Sequence, residues 1–165
     1  MNTPDPHLPL RDQDPTVLLA LTVLGEARNQ SYQGKVAVAQ VVRNRMDQKK
    51  LSVADVVLRP HWFDCWDAED PNRLFLDEAI KTQAGNVKPE GLWEECLQAA
   101  ESALGSPREV DPTGGASHYI HESLWGEVPL SKRRKPQWFQ KPCIESGLTE
   151  FLIQIGVHVF AKTPW

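Results

Sequence analysis

The sequence predicts an α+β fold, mostly helical, with a small antiparallel sheet. Three observations point to it. Through residue 105 or so, apolar residues recur at helical spacing or run nearly all round, between recognisable caps and breakers. From Thr113 onward the signals change to glycine turns and short β-type runs. Helices first and strands later, with no internal repeat, argue against alternating βαβ units. At 165 residues the chain has the length of one domain, and such a length can bury roughly 70% of its unfolded surface.

Residues 1–13 hold Pro4, Pro6 and Pro9 and little apolar content, which reads as a flexible, loosely attached arm. A single domain is then expected over 14–165. Asp14-Pro15 matches an N-cap followed by proline at the first helical position, and the run Val17 to Leu24 is apolar nearly all round. A buried first helix follows, ending near Gly25 to Ala27. Between Gly34 and Met46 the small residues Ala37 and Ala39 among valines favour a second buried helix over a strand. Ser52 and Asp55 resemble a capping box for a short helix that stops before Pro60, directly ahead of the aromatic cluster Trp62, Phe63 and Trp66. A weaker helix is expected around 74–84. A long one is expected from Pro89 to Leu104, stopped by Gly105 and Pro107. Ala116 to Ile120 and Phe151 to Phe160 supply the β-type runs.

Composition narrows the function classes. With 41% hydrophobic and 24% charged residues, disorder, collagen and coiled coil are excluded as readings of the whole chain. A net charge of −4 offers no general attraction for nucleic acid. The basic run Lys132, Arg133, Arg134, Lys135 reads as a solvated loop, with contact to an anionic wall surface as the alternative. Cys65, Cys96 and Cys143 contain no CxxC pair, so neither a disulfide framework nor a thiolate zinc site is suggested. Reduced thiols made in a cytosolic compartment fit best. Val17 to Leu24 is too short to span a bilayer, and it follows Asp5, Asp12 and Asp14 where a signal peptide would carry positive charge. Neither export by a leader nor membrane insertion is expected.

Gly25-Glu26-Ala27-Arg28 puts a carboxylate at the end of an apolar helix. There the helix dipole disfavours negative charge and apolar neighbours resist ionisation, so both effects raise its pKa. A carboxylic acid kept protonated near neutral pH is what glycoside cleavage needs, because the leaving sugar oxygen must receive a proton. On these residues alone an exposed, idle glutamate remains the alternative.

Gly25-Glu26-Ala27-Arg28, followed by Tyr32 to Arg45, resembles the N-terminal signature of the SleB-type cell wall hydrolases, the spore cortex-lytic enzyme family. Asp111-Pro112-Thr113-Gly114-Gly115-Ala116-Ser117-His118-Tyr119 and Ile155 to Phe160 resemble its two C-terminal motifs in order. Arg59-Pro60-His61-Trp62-Phe63 matches the family's Gln-Pro-Gly-Gln-Phe block only loosely, and the stretches 67–110 and 123–152 find little counterpart. The resemblance implies a lysozyme- or lytic-transglycosylase-like domain that cuts peptidoglycan glycan strands between N-acetylmuramic acid and N-acetylglucosamine, with one essential glutamate. That glutamate maps onto Glu26. Where members carry further acids this chain has Gln30 and Gln33. No cofactor and no metal are implied, and a monomer is expected. An enzyme without a leader fits a phage endolysin released to the host wall through a holin, with a bacterial origin equally open.

One carboxyl suffices if the muramic acid's own C6 hydroxyl attacks the anomeric carbon. Hydrolysis needs a second carboxylate roughly 5–9.5 Å away, for which Asp64, Asp67 and Glu122 are candidates. Tyr32, Phe63, Trp66, Tyr119 and Trp125 are candidate flat faces for sugar rings, and Gln40, Asn44, Ser117 and His118 candidate polar contacts. For each aromatic the core is the competing place. His158, in an apolar run, reads as a hydrogen-bonded core histidine. Three other classes compete. A zinc amidase or peptidase would use His118-x-x-His121, which a strand would point to opposite faces. A cysteine peptidase would use Cys65. A non-catalytic wall-binding module would need no buried acid.

Overall fold

The computed structural model describes residues 2–122 and 149–163. Five α-helices and a three-stranded antiparallel sheet are described: α1 (Pro15–Ala27), α2 (Tyr32–Lys49), α3 (Val53–Val57), α4 (Pro71–Lys81), α5 (Leu92–Gly105), β1 (His118–His121), β2 (Glu150–Ile155) and β3 (His158–Lys162). Short 3-10 turns lie at Leu10–Asp12, Asp64–Trp66 and Arg108–Val110.

The caps explain the helix starts. Asp14 accepts hydrogen bonds from the Thr16 and Val17 amides ahead of α1, Ser31 from Gly34 ahead of α2, and Ser52 from Asp55 ahead of α3. α2 therefore begins at Tyr32, directly after its Ser31 cap, rather than at Gly34. Asp70-Pro71 repeats the Asp14-Pro15 signal, so α4 starts at Pro71 instead of the expected Leu74. α5 starts at Leu92 rather than Pro89, after Gly91 in a left-handed conformation.

α1 is the hub. Val17 to Leu24 are buried all round, with α2, α3, α4 and α5 packed against the helix. The small side chains Ala99, Ala100 and Ala103 of α5 and Ala37 of α2 are buried in the same core. The expected run over 151–160 is two strands, because Gly156 turns the chain at φ +59°. The strand order is β1-β3-β2, with Tyr119 opposite Phe160 and His121 opposite His158. Fully buried Phe160 joins the helical core, with Tyr119, Leu152 and Ile155 packed against it. Ile120, Val159 and Phe151 form a separate small cluster.

The N-terminal segment is hydrogen-bonded within itself and to the helical body. Gln13 is buried and bonds Asp5 through both its amide groups, at 2.9 and 2.6 Å. The Trp93 indole N–H reaches the Asn2 carbonyl at 3.2 Å. No helix among the described residues is long and apolar enough to cross a membrane.

Candidate active site

Glu26 sits in the last turn of α1, where three segments distant in sequence meet. Its Oε1 accepts the Cys65 backbone N–H at 3.0 Å, and its Oε2 accepts the Tyr119 hydroxyl at 2.8 Å. The residue as a whole is only partly buried, so a route to it remains, yet its carboxyl has lost most of its hydration. That loss raises the Glu26 pKa above its ordinary 4.5, against the hydrogen bonds from Cys65 and Tyr119, which favour the anion. The negative charge of exposed Asp64 adds to the rise. The Tyr119 hydroxyl and the Cys65 thiol are pushed well up by burial first and by the Glu26 charge next. Both therefore stand protonated as donors.

The Cys65 segment can come so close because residue 25 is glycine. A Cβ there would sit 2.6 Å from the Cys65 Cβ. Trp66 locks the same turn by donating its indole N–H to Thr22 Oγ1 at 3.1 Å, and Arg73 of α4 bonds the Trp66 carbonyl at 3.0 Å. Arg28, just past α1, bonds Asn72 at 2.5 Å and lies over the Phe75 ring. The end of α1 is thereby tied to α4.

On the other side, Asp111 organises the turn that feeds β1. Its Oδ1 accepts the Thr113 amide at 2.7 Å and its Oδ2 the Gly115 amide at 2.8 Å, while Gly114 and Gly115 adopt φ of +66° and +90°. Asn44 of α2 holds this turn through Asp111, Thr113 and the Ala116 carbonyl. Next to it on α2, buried Arg45 bonds the Ser117 and Trp62 carbonyls.

Of the residues singled out in the sequence, the structure brings Glu26 and Tyr119 together, Tyr119 as a hydrogen-bond donor. Exposed Tyr32 starts α2 and is free to present a ring. Phe63 and Trp66, at 2% and 9% exposure, lie in the core, where Phe63 packs under the Arg45 guanidinium and Trp66 bonds Thr22. Gln40, Asn44 and Ser117 each make hydrogen bonds inside the protein. Buried Gln40 bonds Asn44 at 3.2 Å, Asn44 holds the Asp111 turn, and the fully buried Ser117 hydroxyl pairs with His118 Nδ1 at 2.9 Å. His118 itself is partly buried, and burial, with Arg45 nearby, pushes its pKa down to about 3. Trp125, Cys143 and the basic run 132–135 lie outside the described residues.

Among the candidate second carboxylates only Asp64 acts on Glu26 by charge; Asp67 approaches His61 and Glu122 accepts from Gln154. His158 is buried as expected, and its Nδ1 has no hydrogen-bond partner among the described residues. Burial and then His121 lower its pKa to about 4. His118 and His121 stand three residues apart on β1, hence on opposite faces. Sequence reasoning missed Arg45, Thr22 and the Cys65 amide. An arginine following the apolar stretch of α2, more than three turns into the helix, was the one available signal for the first; a backbone N–H leaves none.

A helical body whose first helix ends at a half-buried glutamate, facing a small antiparallel sheet across a hydrogen bond, is a lysozyme-like architecture. The Cell Wall Hydrolase family model matches residues 29–161, and the chain belongs to that family. The match begins just beyond Glu26. The chain is 28% identical over 163 residues, 97% of its length, to the spore cortex-lytic enzyme of Oceanobacillus iheyensis. It spans about half of that curated relative, 46%. In fold it is similar to the catalytic domain of the Bacillus cereus SleB protein, with a TM-score of 0.53 at 24% identity over 90% of this chain and 89% of the other. It is also similar to the catalytic domain of the germination-specific lytic transglycosylase SleB from Bacillus anthracis, with a TM-score of 0.57 at 24% identity over 92% and 96%. The family is thus that of the cell wall hydrolases, and the fold is similar to that of the SleB catalytic domains.

Proposed function

We propose that this protein, acting as a monomer, cleaves the glycan strand of peptidoglycan between N-acetylmuramic acid and N-acetylglucosamine, with Glu26 as the acid. The carrying observation is the Glu26 carboxyl, poorly hydrated and raised in pKa while held by Cys65 and Tyr119. In its neutral form it protonates the leaving glycosidic oxygen. As a carboxylate it then takes the proton of the muramic acid's C6 hydroxyl, which closes a 1,6-anhydro ring. The family membership, and the lytic transglycosylase activity of the structurally similar Bacillus anthracis protein, support this reading. Exposed Asp64, whose charge reaches Glu26, favours a second reading in which it serves hydrolysis.

The raised pKa of the Cys65 thiol speaks against its use as a nucleophile. Mass spectrometry of digested peptidoglycan tests the proposal. Anhydromuramyl ends support transglycosylation and reducing ends support the Asp64 reading. Freed stem peptides without glycan cleavage, or a Glu26→Gln variant as active as the wild type, overturn both.

A further inference from the structure

Arg45 carries the most demanding interactions among the described groups outside the Glu26 pair. The residue is 5% exposed, and burial, opposed by the Tyr119 and Glu26 groups, brings its pKa down to about 10, so it stays charged. Its Nε donates to the Ser117 carbonyl at 2.7 Å and its Nη1 to the Trp62 carbonyl at 3.2 Å. The cation lies 5.1 and 4.8 Å from the ring centres of Trp62 and Phe63. These are the two segments that deliver the donors to Glu26. Ser117 lies two residues before Tyr119, and Phe63 two residues before Cys65. The Glu26 carboxyl meets the Tyr119 hydroxyl of one segment at 2.8 Å and the Cys65 amide of the other at 3.0 Å, and Arg45 fixes each segment at its root.

We propose that Arg45 is a positioning residue for the reaction assigned above: its fork ties the 62–66 turn to β1 and so sets the separation of the two donors that grip Glu26. The inference rests on the proposed role of Glu26, but the geometry holds whatever the substrate. A planar fork with separate N–H groups can meet two carbonyls on different segments at once; an ammonium keeps the charge and loses that geometry. The charged and titratable groups around the carboxyl are Arg45 from α2, Asp64 and Cys65 from the turn, and Tyr119 from β1.

The test compares wild type, Arg45→Lys and Arg45→Met for kcat, KM and pH profile on peptidoglycan, and follows the Glu26 carboxyl by infrared difference spectroscopy against Glu26→Gln. A donor displaced by even 1 Å can cost on the order of 100-fold. In Arg45→Lys, kcat is therefore expected to fall about tenfold or more, with KM changed by less than about threefold. Weaker donors and a lost cation both favour the neutral acid, so in Arg45→Met the Glu26 titration and the basic limb of the profile move to higher pH. A role in stability alone would lower the melting temperature of both variants without moving the Glu26 titration. That outcome, or a folded Arg45→Lys with wild-type kcat, overturns the proposal. The infrared readout needs no substrate, so an inactive wild type would sink the proposed function while leaving this inference to be judged separately. If Arg45→Met does not fold, Arg45→Lys decides.

Discussion

Gly25→Ala is a small change that should damage activity far more than stability. The added Cβ would lie 2.6 Å from Cys65 Cβ, 2.9 Å from Cys65 Sγ and 3.1 Å from Leu76 Cδ1. Carbon atoms in contact sit at about 3.5–4.0 Å, so the Cys65 turn must retreat by roughly 1 Å. Overpacking of this kind costs about 1–3 kcal/mol, and replacing a helical glycine by alanine returns about 0.5–1 kcal/mol. The net loss of about 1 kcal/mol lowers the melting temperature by about 2–4 °C in a chain of this size. The same retreat pulls the Cys65 amide off Glu26 Oε1, a bond of 3.0 Å. Displacing a group at the reacting centre by that much costs on the order of 100-fold in rate. Turbidity clearance of peptidoglycan well below the melting temperature, with hydrogen exchange of the Cys65 amide, measures both effects. Cys65→Ala keeps the Cβ and should not rescue the variant, whereas Cys65→Gly should. A folded Gly25→Ala with wild-type activity and an unchanged Cys65 amide would refute the reasoning.

Glu26→Gln should abolish clearance while keeping the fold, read by circular dichroism. Because burial raises the Glu26 pKa, the wild type holds its full stability below the ordinary value of 4.5 and loses some as pH rises through the folded value. The melting temperature of the Gln variant should therefore gain on the wild type across that window. Tyr119→Phe removes a hydrogen bond that favours the carboxylate, so the basic limb of the activity profile should move to higher pH and kcat should fall, with the profile as the check. Trp66→Phe should cost about 1–2 kcal/mol in denaturant unfolding through the lost bond to Thr22 and the thinner core. Its KM should stay unchanged; a raised KM would return Trp66 to the sugar-facing surface.

The helices were legible because their signals are local. Asp14-Pro15, Ser52 with Asp55, and the apolar run Val17 to Leu24 each act within a few residues. Glu26 stood out as a candidate for a related reason: the end of an apolar helix is an uncomfortable place for a carboxylate, and its neighbours resemble a known family block. The sugar-facing assignments fared differently. Composition cannot tell whether Phe63 and Trp66 turn outward or inward, and what turned them inward was Arg45 and Thr22, 18 and 44 residues away by chain position. Asn44 and Ser117 look like substrate contacts for the same reason that they make good internal ties, since short polar side chains suit both. The Cys65 amide had no signature at all, being a backbone group placed by tertiary closure.

That closure bears on how one carboxyl can serve both halves of the proposed reaction. To donate a proton it must keep that proton, and the loss of hydration raises its pKa in that direction. To take a proton back from the C6 hydroxyl it must persist as an anion, and the donors already in place at 2.8 and 3.0 Å supply that. Burial alone would leave the anion unsupported, and donors alone would leave the acid ionised before substrate arrived. The opposed causes act on the same two oxygens, so the balance depends on how firmly the donors are held. Tyr119 and the Cys65 amide come from segments that touch α1 only because Gly25 lets one approach and the Asn44–Asp111 tie presents the other. Loosening either segment should therefore shift the pH at which the protein works before it unfolds the protein, and a variant of Asn44 that lost stability with no shift in that pH would break the link.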